Sequence, residues 1–182
     1  FMLSGVKEGA KTIFITSTMG AEGKTFVALN LATVLALSSK KVLLIGADIR
    51  KPKFNEYLEV EFGKGLTHFL MDGTIALKDI IQHYPAGNFD VLASGAVPPN
   101  PSELLMNGRF EDVMAYGKEN YDFVIVDTAP IKMVTDTLLL SHHADLSLYL
   151  IRVGILDKRF LEIPEKMYSE KRLPNMAVLL ND

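Results

Sequence analysis

Six short apolar runs, each separated from the next by a stretch of helical or loop character, limit what this chain can fold into more than any other feature. They are Thr12 to Thr16, Val42 to Ala47, Phe89 to Ala93, Phe123 to Asp127, Leu146 to Val153 and Met176 to Leu180. Several are apolar almost throughout, as a strand covered on both faces requires. Between them Lys24 to Leu37, Ser102 to Lys118 and Leu156 to Arg172 are expected to be helices, the last despite Pro164. Asn100-Pro101-Ser102-Glu103 supports the second start, because Asn caps, Pro suits the first helical position and Glu reaches back. Alternation of this kind predicts an α/β domain with a parallel sheet and helices on both faces.

With 182 residues, 48% of them hydrophobic, the chain can build one well-buried core, so a single domain over residues 1–182 is expected. It begins abruptly at Phe1-Met2-Leu3 and stops at Leu180-Asn181-Asp182, and we read it as a fragment of something longer. A formal net charge of −3 gives no global attraction to nucleic acid or anionic lipid, so nucleic acid is not an expected partner. The absence of cysteine excludes disulfides, thiolate metal sites and thiol nucleophiles. No apolar run approaches the ~18 residues of a transmembrane helix, so the chain as given is expected to be soluble.

Directly after the first run comes Thr18-Met19-Gly20-Ala21-Glu22-Gly23-Lys24-Thr25, followed at once by the first helix, the context a Walker A loop demands. Small residues let consecutive backbone N–H groups turn inward around phosphate oxygens, and the helix N-terminus adds its partial positive charge. The loop residues Gly20, Ala21, Glu22 and Gly23, with Lys24, Thr25 and Phe26 at the helix start, are therefore expected to hold a nucleotide. Lys24 would reach the β- and γ-phosphates and the Thr25 hydroxyl would ligate magnesium, making ATP and Mg2+ the expected cofactors. Thr18 stands where the strict pattern has glycine. The fold class expected is thus a P-loop NTPase-like parallel sheet.

Tyr121 to Pro130 carries a buried-type strand ending in Asp127, as in a Walker B segment, where Asp127 would hold magnesium directly or through water. A third strand ends in Gly46-Ala47-Asp48-Ile49-Arg50-Lys51. If the strands are neighbours, their C-terminal ends converge where open α/β sheets bind ligands. Asp48 is then expected in the metal shell, whereas Arg50 meets phosphate, a partner carboxylate or, as the preferred reading for it and Lys51, only solvent. Adjacent histidines on a helix do not share a face, so His142-His143 is expected to be a polar helix end rather than a metal pair.

Taken together, the three segments resemble the Walker A, A′ and B motifs of the bacterial tyrosine kinases, in the same order. The likeness extends to Pro98 to Leu105, to Arg152 to Glu162 and to the ending Val178 to Asp182. It implies an autophosphorylating, ATP-dependent protein-tyrosine kinase that regulates polysaccharide synthesis and export. The domain would lie on the cytoplasmic face of the plasma membrane, beside a membrane-spanning export protein or segment, and would self-associate in the intact protein. The resemblance also places Asn181 near the adenine and makes Lys24, Asp48 and Asp127 the catalytic set.

Three departures stand out. The family's D-x-D-x-R segment has Gly46 in place of its first acid, the tyrosine-rich tail is missing, and so is the upstream Arg-containing helix of ring assembly. The six tyrosines, Tyr57, Tyr84, Tyr116, Tyr121, Tyr149 and Tyr168, are instead scattered. Glycine cannot act as a base, so a weak kinase is expected, and Gly46→Asp is expected to raise the rate. The competing readings are a nucleotide-dependent regulatory module without phosphotransfer, and a partition or division-site ATPase. The latter carry an extra loop lysine where this chain has Met19.

Overall fold

The computed structural model describes residues 11–58, 63–132 and 136–182. Seven strands form one sheet: β1 (Lys11–Ser17), β2 (Val42–Gly46), β3 (Gln82–Tyr84), β4 (Phe89–Leu92), β5 (Phe123–Asp127), β6 (Leu146–Arg152) and β7 (Met176–Asn181). Their order is β3-β4-β2-β5-β1-β6-β7, and every pairing is parallel except β3 with β4. All six strands expected from the apolar runs are present. The seventh, Gln-His-Tyr, has no apolar pattern; it is an edge strand whose His83 Nδ1 lies 2.8 Å from Asp90 Oδ1 on β4.

Side chains alternate across the sheet and feed two cores. Val42, Leu44 and Ile125 pack with Ile13, Ile15 and the first helix, α1 (Lys24–Leu37). Leu43, Ile45, Val124 and Val126 point the other way, onto the opposite core. The buried face of α1 is Ala28, Ala32 and Ala36, a four-residue spacing that sets methyl groups against the strands and lets the helix lie close to them. The remaining helices are α2 (Phe54–Leu58), α3 (Leu66–Met71), α4 (Pro101–Leu105), α5 (Arg109–Asn120), α6 (Asp136–Leu140) and α7 (Glu162–Ser169).

Two expected helices are corrected. Ser102 to Lys118 is broken into α4 and α5 because Gly108 adopts φ +86° and turns the chain out of helical geometry. Leu156 to Arg172 shrinks to a 3-10 turn, Lys158–Phe160, followed by α7. Asp157 caps the turn by accepting from the Arg159 amide at 2.9 Å, and Pro164 falls in the first turn of α7, where its missing N–H costs little. Among the described residues no helix is long and apolar enough to cross a membrane.

Parallel register brings the C-terminal ends of the three central strands level: Ile15 pairs with Asp127, and Asp127 with Gly46. That edge is where α1 begins. Gly46 itself sits in a filled space, since a Cβ there would lie 2.6 Å from Ser94 Oγ and 3.2 Å from Phe54 Cε2. Gly46→Ala is therefore expected to destabilise the fold by about 1–3 kcal/mol, the usual cost of overpacking. Urea unfolding measures this, and a midpoint equal to wild type would show that Ser94 yields without cost.

Candidate functional site

The loop between β1 and α1 turns on two left-handed residues, Ala21 at φ +64° and Gly23 at φ +91°. A side chain at Gly23 would also push the Asn181 amide off the loop, which with the left-handed backbone favours glycine there. Thr18, where the strict pattern has glycine, lacks a positive φ. Its hydroxyl shares a 2.8 Å hydrogen bond with the Tyr149 hydroxyl in the core, which explains why a threonine is accepted. Glu22 is buried and braces the loop from within: its Oε1 accepts from the Met19 amide at 2.6 Å, while Oε2 has no partner. Burial pushes the Glu22 carboxyl up, against the Met19 hydrogen bond. From outside, Asn181 Nδ2 donates to Glu22 O at 3.0 Å and Arg152 Nη1 to Ala21 O at 3.2 Å. The loop is thus held by β6 and β7 as well as by β1.

Lys24 and Thr25 open α1 and both are buried. Lys24 Nζ donates to Ser17 Oγ at 3.2 Å, and Thr25 Oγ1 donates to Asp127 Oδ2 at 2.6 Å. Burial lowers the Lys24 pKa, opposed by the charges of Asp127, Asp48 and Glu22. Burial also raises Asp127 to about 7, opposed by the Thr25 hydrogen bond and by Lys24. Its second oxygen, Oδ1, is buried without a hydrogen-bond partner. A hydroxyl beside a carboxylate with an unsatisfied oxygen is a hard-oxygen donor set that suits Mg2+.

The backbone carbonyl of Asp127 accepts from the Ala47 and Asp48 amides at 2.8 and 3.1 Å, drawing the turn after β2 over the site. There Asp48 Oδ1 caps the turn through the Lys51 amide at 3.1 Å and, more weakly, the Arg50 amide at 3.3 Å. Arg50 is not simply solvated. Its Nε donates to Asp136 Oδ2 at 2.7 Å and its Nη2 to Ser102 Oγ at 2.7 Å, and Ser102 donates in turn to Asp136 Oδ1 at 2.8 Å. This network ties the β2 turn to α4 and α6. Lys51, by contrast, is exposed.

Gly20, Ala21, Gly23, Lys24, Thr25 and Asp48 line one cleft of about 690 Å³, with Asp127 beneath it. Besides Asp127, three expected residues lie off its lining. The Glu22 side chain faces inward, Asn181 braces the back of the loop, and Phe26 borders a neighbouring groove with Asn30 and Tyr57. The far wall is Lys51, expected only to meet solvent, with Lys53, Glu56, Tyr57 and Pro130, for which no site role was expected. With Lys24 and Arg50 it makes four cations against Asp48 and Glu56, a balance suited to a polyphosphate.

A family model described as "AAA domain" matches residues 10–151. Tyrosine-protein kinase etk of Escherichia coli K12 is 41% identical over 169 residues, which is 93% of this chain and 23% of that protein. The chain therefore spans about a quarter of the length of the curated relatives it matches. The solved kinase domain of Escherichia coli tyrosine kinase ETK superposes with a TM-score of 0.86 at 37% identity, covering 94% of this chain and 67% of that one. Septum site-determining protein MinD of Pyrococcus horikoshii OT3, complexed with Mg-ADP, gives a TM-score of 0.76 at 22% identity over 94% of this chain and 70% of its own. That last likeness concerns the fold alone. The sheet order, the loop between β1 and α1 and the family match define a P-loop NTPase-like domain of the AAA type. Within that class, the chain belongs to the bacterial tyrosine-kinase family.

Asp127 generates a pH prediction for the nucleotide-free protein. Its folded pKa of about 7 exceeds that of an unfolded carboxylate, so between the two the folded state holds the extra proton and stability falls as pH rises. Asp127→Asn is expected to melt higher than wild type at about pH 8, by ~2–4 °C per kcal/mol recovered. The advantage should vanish near pH 4. A wild-type melting point that does not change across this window would contradict the buried-charge account.

Proposed function

We propose that this chain is the catalytic P-loop domain of an ATP-dependent protein-tyrosine kinase. It would serve polysaccharide synthesis and export at the cytoplasmic face of the plasma membrane, with a membrane-spanning export protein or segment as partner. Self-association of the intact protein is part of the same proposal. The observation that carries the catalytic reading is the convergence of Lys24, Thr25 and Asp127 under a loop whose backbone turns on Ala21 and Gly23. Membership of the bacterial tyrosine-kinase family selects phosphotransfer to tyrosine over the regulatory-module and division-site readings.

In this reading the loop amides from Gly20 to Thr25 and the N-terminus of α1 bind phosphate oxygens, and Lys24 leaves Ser17 to meet the terminal phosphates. Thr25, Asp127 and Asp48 would hold magnesium, which neutralises charge on the phosphates when bound. Asn181 acts on the nucleotide through the loop that it braces from behind, while Phe26, on the neighbouring groove, stands off the cleft. The tyrosyl oxygen bonds to the terminal phosphorus, the bond to the bridging oxygen breaks, ADP leaves, and the hydroxyl proton passes to a carboxylate. Asp48 takes the proton, since Gly46 offers no acid. A base contributes only ~10²–10⁴-fold, so a slow kinase is expected rather than an inert one.

Gly46→Asp as a single change meets Ser94 and Phe54, so the expected gain in rate requires those neighbours to shift.

Lys24→Met should weaken MgATP binding by ~30-fold or more, the ~2 kcal/mol or greater cost of removing one partner of a desolvated charge pair. The melting point should hold, because methionine relieves the desolvation that depresses the Lys24 pKa. Labelled ATP with a tyrosine-containing acceptor protein tests the activity. Phosphotyrosine absent from Lys24→Met is expected; inorganic phosphate released without phosphotyrosine would make the domain an ATPase instead.

A further inference from the structure

The histidine pair before β6 plays no part in the nucleotide cleft. Ser141–His143 is a single 3-10 turn, and its tighter winding brings the His142 and His143 ring centroids to 3.9 Å, contrary to the expectation that neighbouring histidines diverge. His142 Nδ1 lies 2.9 Å from Leu139 O. A carbonyl can only accept, so Nδ1 carries the hydrogen and Nε2 keeps its lone pair. Among the described residues His143 Nε2 is buried with no hydrogen-bond partner, and it stands 4.0 Å from Glu111 Oε1, in the first turn of α5. One ligand atom from each of the three residues falls within 4.8 Å of the other two.

We infer that Glu111, His142 and His143 form a site for a divalent transition-metal ion of the zinc type. Two imidazoles and a carboxylate suit Zn2+, Ni2+ or Cu2+, and they discriminate against Mg2+ and Ca2+, which take oxygen ligands. The backbone carbonyl that fixes the His142 tautomer is the outer-shell partner metal-bound histidines characteristically have. Burial, reinforced by His142, lowers the His143 pKa and keeps its ring in the neutral form that ligates. A tetrahedral ion with bonds of ~2.0–2.1 Å needs its ligand atoms about 3.3 Å apart. Glu111 and His142 are exposed and free to close that gap, while His143, packed on Phe110 with ring centroids 5.7 Å apart, is the fixed member. Three protein ligands leave a fourth position for water or for a side chain of a partner. The bound ion joins α5 to the turn that leads into β6.

The test is a Zn2+ titration of the metal-stripped 182-residue chain by calorimetry in excess Mg2+, paired with thermal melts. Saturable one-to-one binding with a rise in melting temperature is expected, since an ion at ~100 times its Kd raises the folding constant ~100-fold. Glu111→Gln should weaken binding by at least the ~10–100-fold that loss of an outer-shell partner costs, and His142→Ala should abolish it together with the visible bands of bound Co2+. Both residues are exposed, so neither variant depends on refilling the space that His143→Ala would open beside Phe110. Absence of saturable binding, or equal binding in Glu111→Gln and His142→Ala, overturns the site. So does loss of Zn2+ binding in Asp127→Asn, which would place the ion in the nucleotide cleft.

Discussion

The 2.6 Å hydrogen bond from Thr25 to Asp127 is the contact through which the helix start, the loop and the sheet become one site. It exists because β1, β5 and β2 end level, with Ile15, Asp127 and Gly46 in register. Given that register, the second residue of α1 falls over the last residue of β5. Burying the carboxylate beneath the loop strips it of water, and Thr25 and Lys24 only partly replace what is lost. The unpartnered Oδ1 is the remainder. In the proposed function a cation and a phosphate chain would supply the missing contacts and so add to stability when bound.

The parts of this arrangement that were legible in the sequence are those carried by short-range signals. A strand buried on both faces needs an unbroken apolar run, and a phosphate loop needs small residues between a strand and a helix, so β1, β2, β5 and the loop could be read directly. Asn107-Gly108 is a turn dipeptide of the kind that breaks helices, and the expectation of one helix from Ser102 to Lys118 passed over it. What could not be read was pairing at long range. Nothing near Arg50 announces Asp136 or Ser102, 86 and 52 residues away, which only the packing of α4 and α6 beside the β2 turn brings within reach. The wall formed by Lys53, Glu56 and Tyr57 is similar, because no local pattern marks which face of a five-residue helix lines a cleft.

The Arg50 network changes how the cleft's charges are to be understood. An arginine engaged by a buried carboxylate and a hydroxyl is positioned rather than mobile, and its side chain is still 34% exposed on the cleft side. It therefore adds positive potential without leaving its structural partner. Lys24 differs, being held only by the Ser17 hydroxyl at 3.2 Å, a neutral and easily exchanged contact. One cation is fixed to shape the cleft and the other is left free to move, a division that suits a site where a polyphosphate must be both located and engaged.

Gly46 and Asp48 divide a similar task along one strand. Position 46 points toward Ser94 and Phe54, so the space a first acid would occupy is already filled by neighbours on that face. Two residues on, the strand has ended, and Asp48 holds its own turn by accepting amides through Oδ1. Its other oxygen is not committed to that cap. Two backbone amides orient the Asp48 carboxylate from beyond the strand end, a placement unlike that of an acid at position 46. Placing an acid at position 46 would need more than that one change. It would need room where Ser94 Oγ and Phe54 Cε2 stand and a shift of the Ser94 backbone amide, 3.1 Å from a Cβ at that position, so that the carboxylate could enter the cleft without pushing α2 off the sheet.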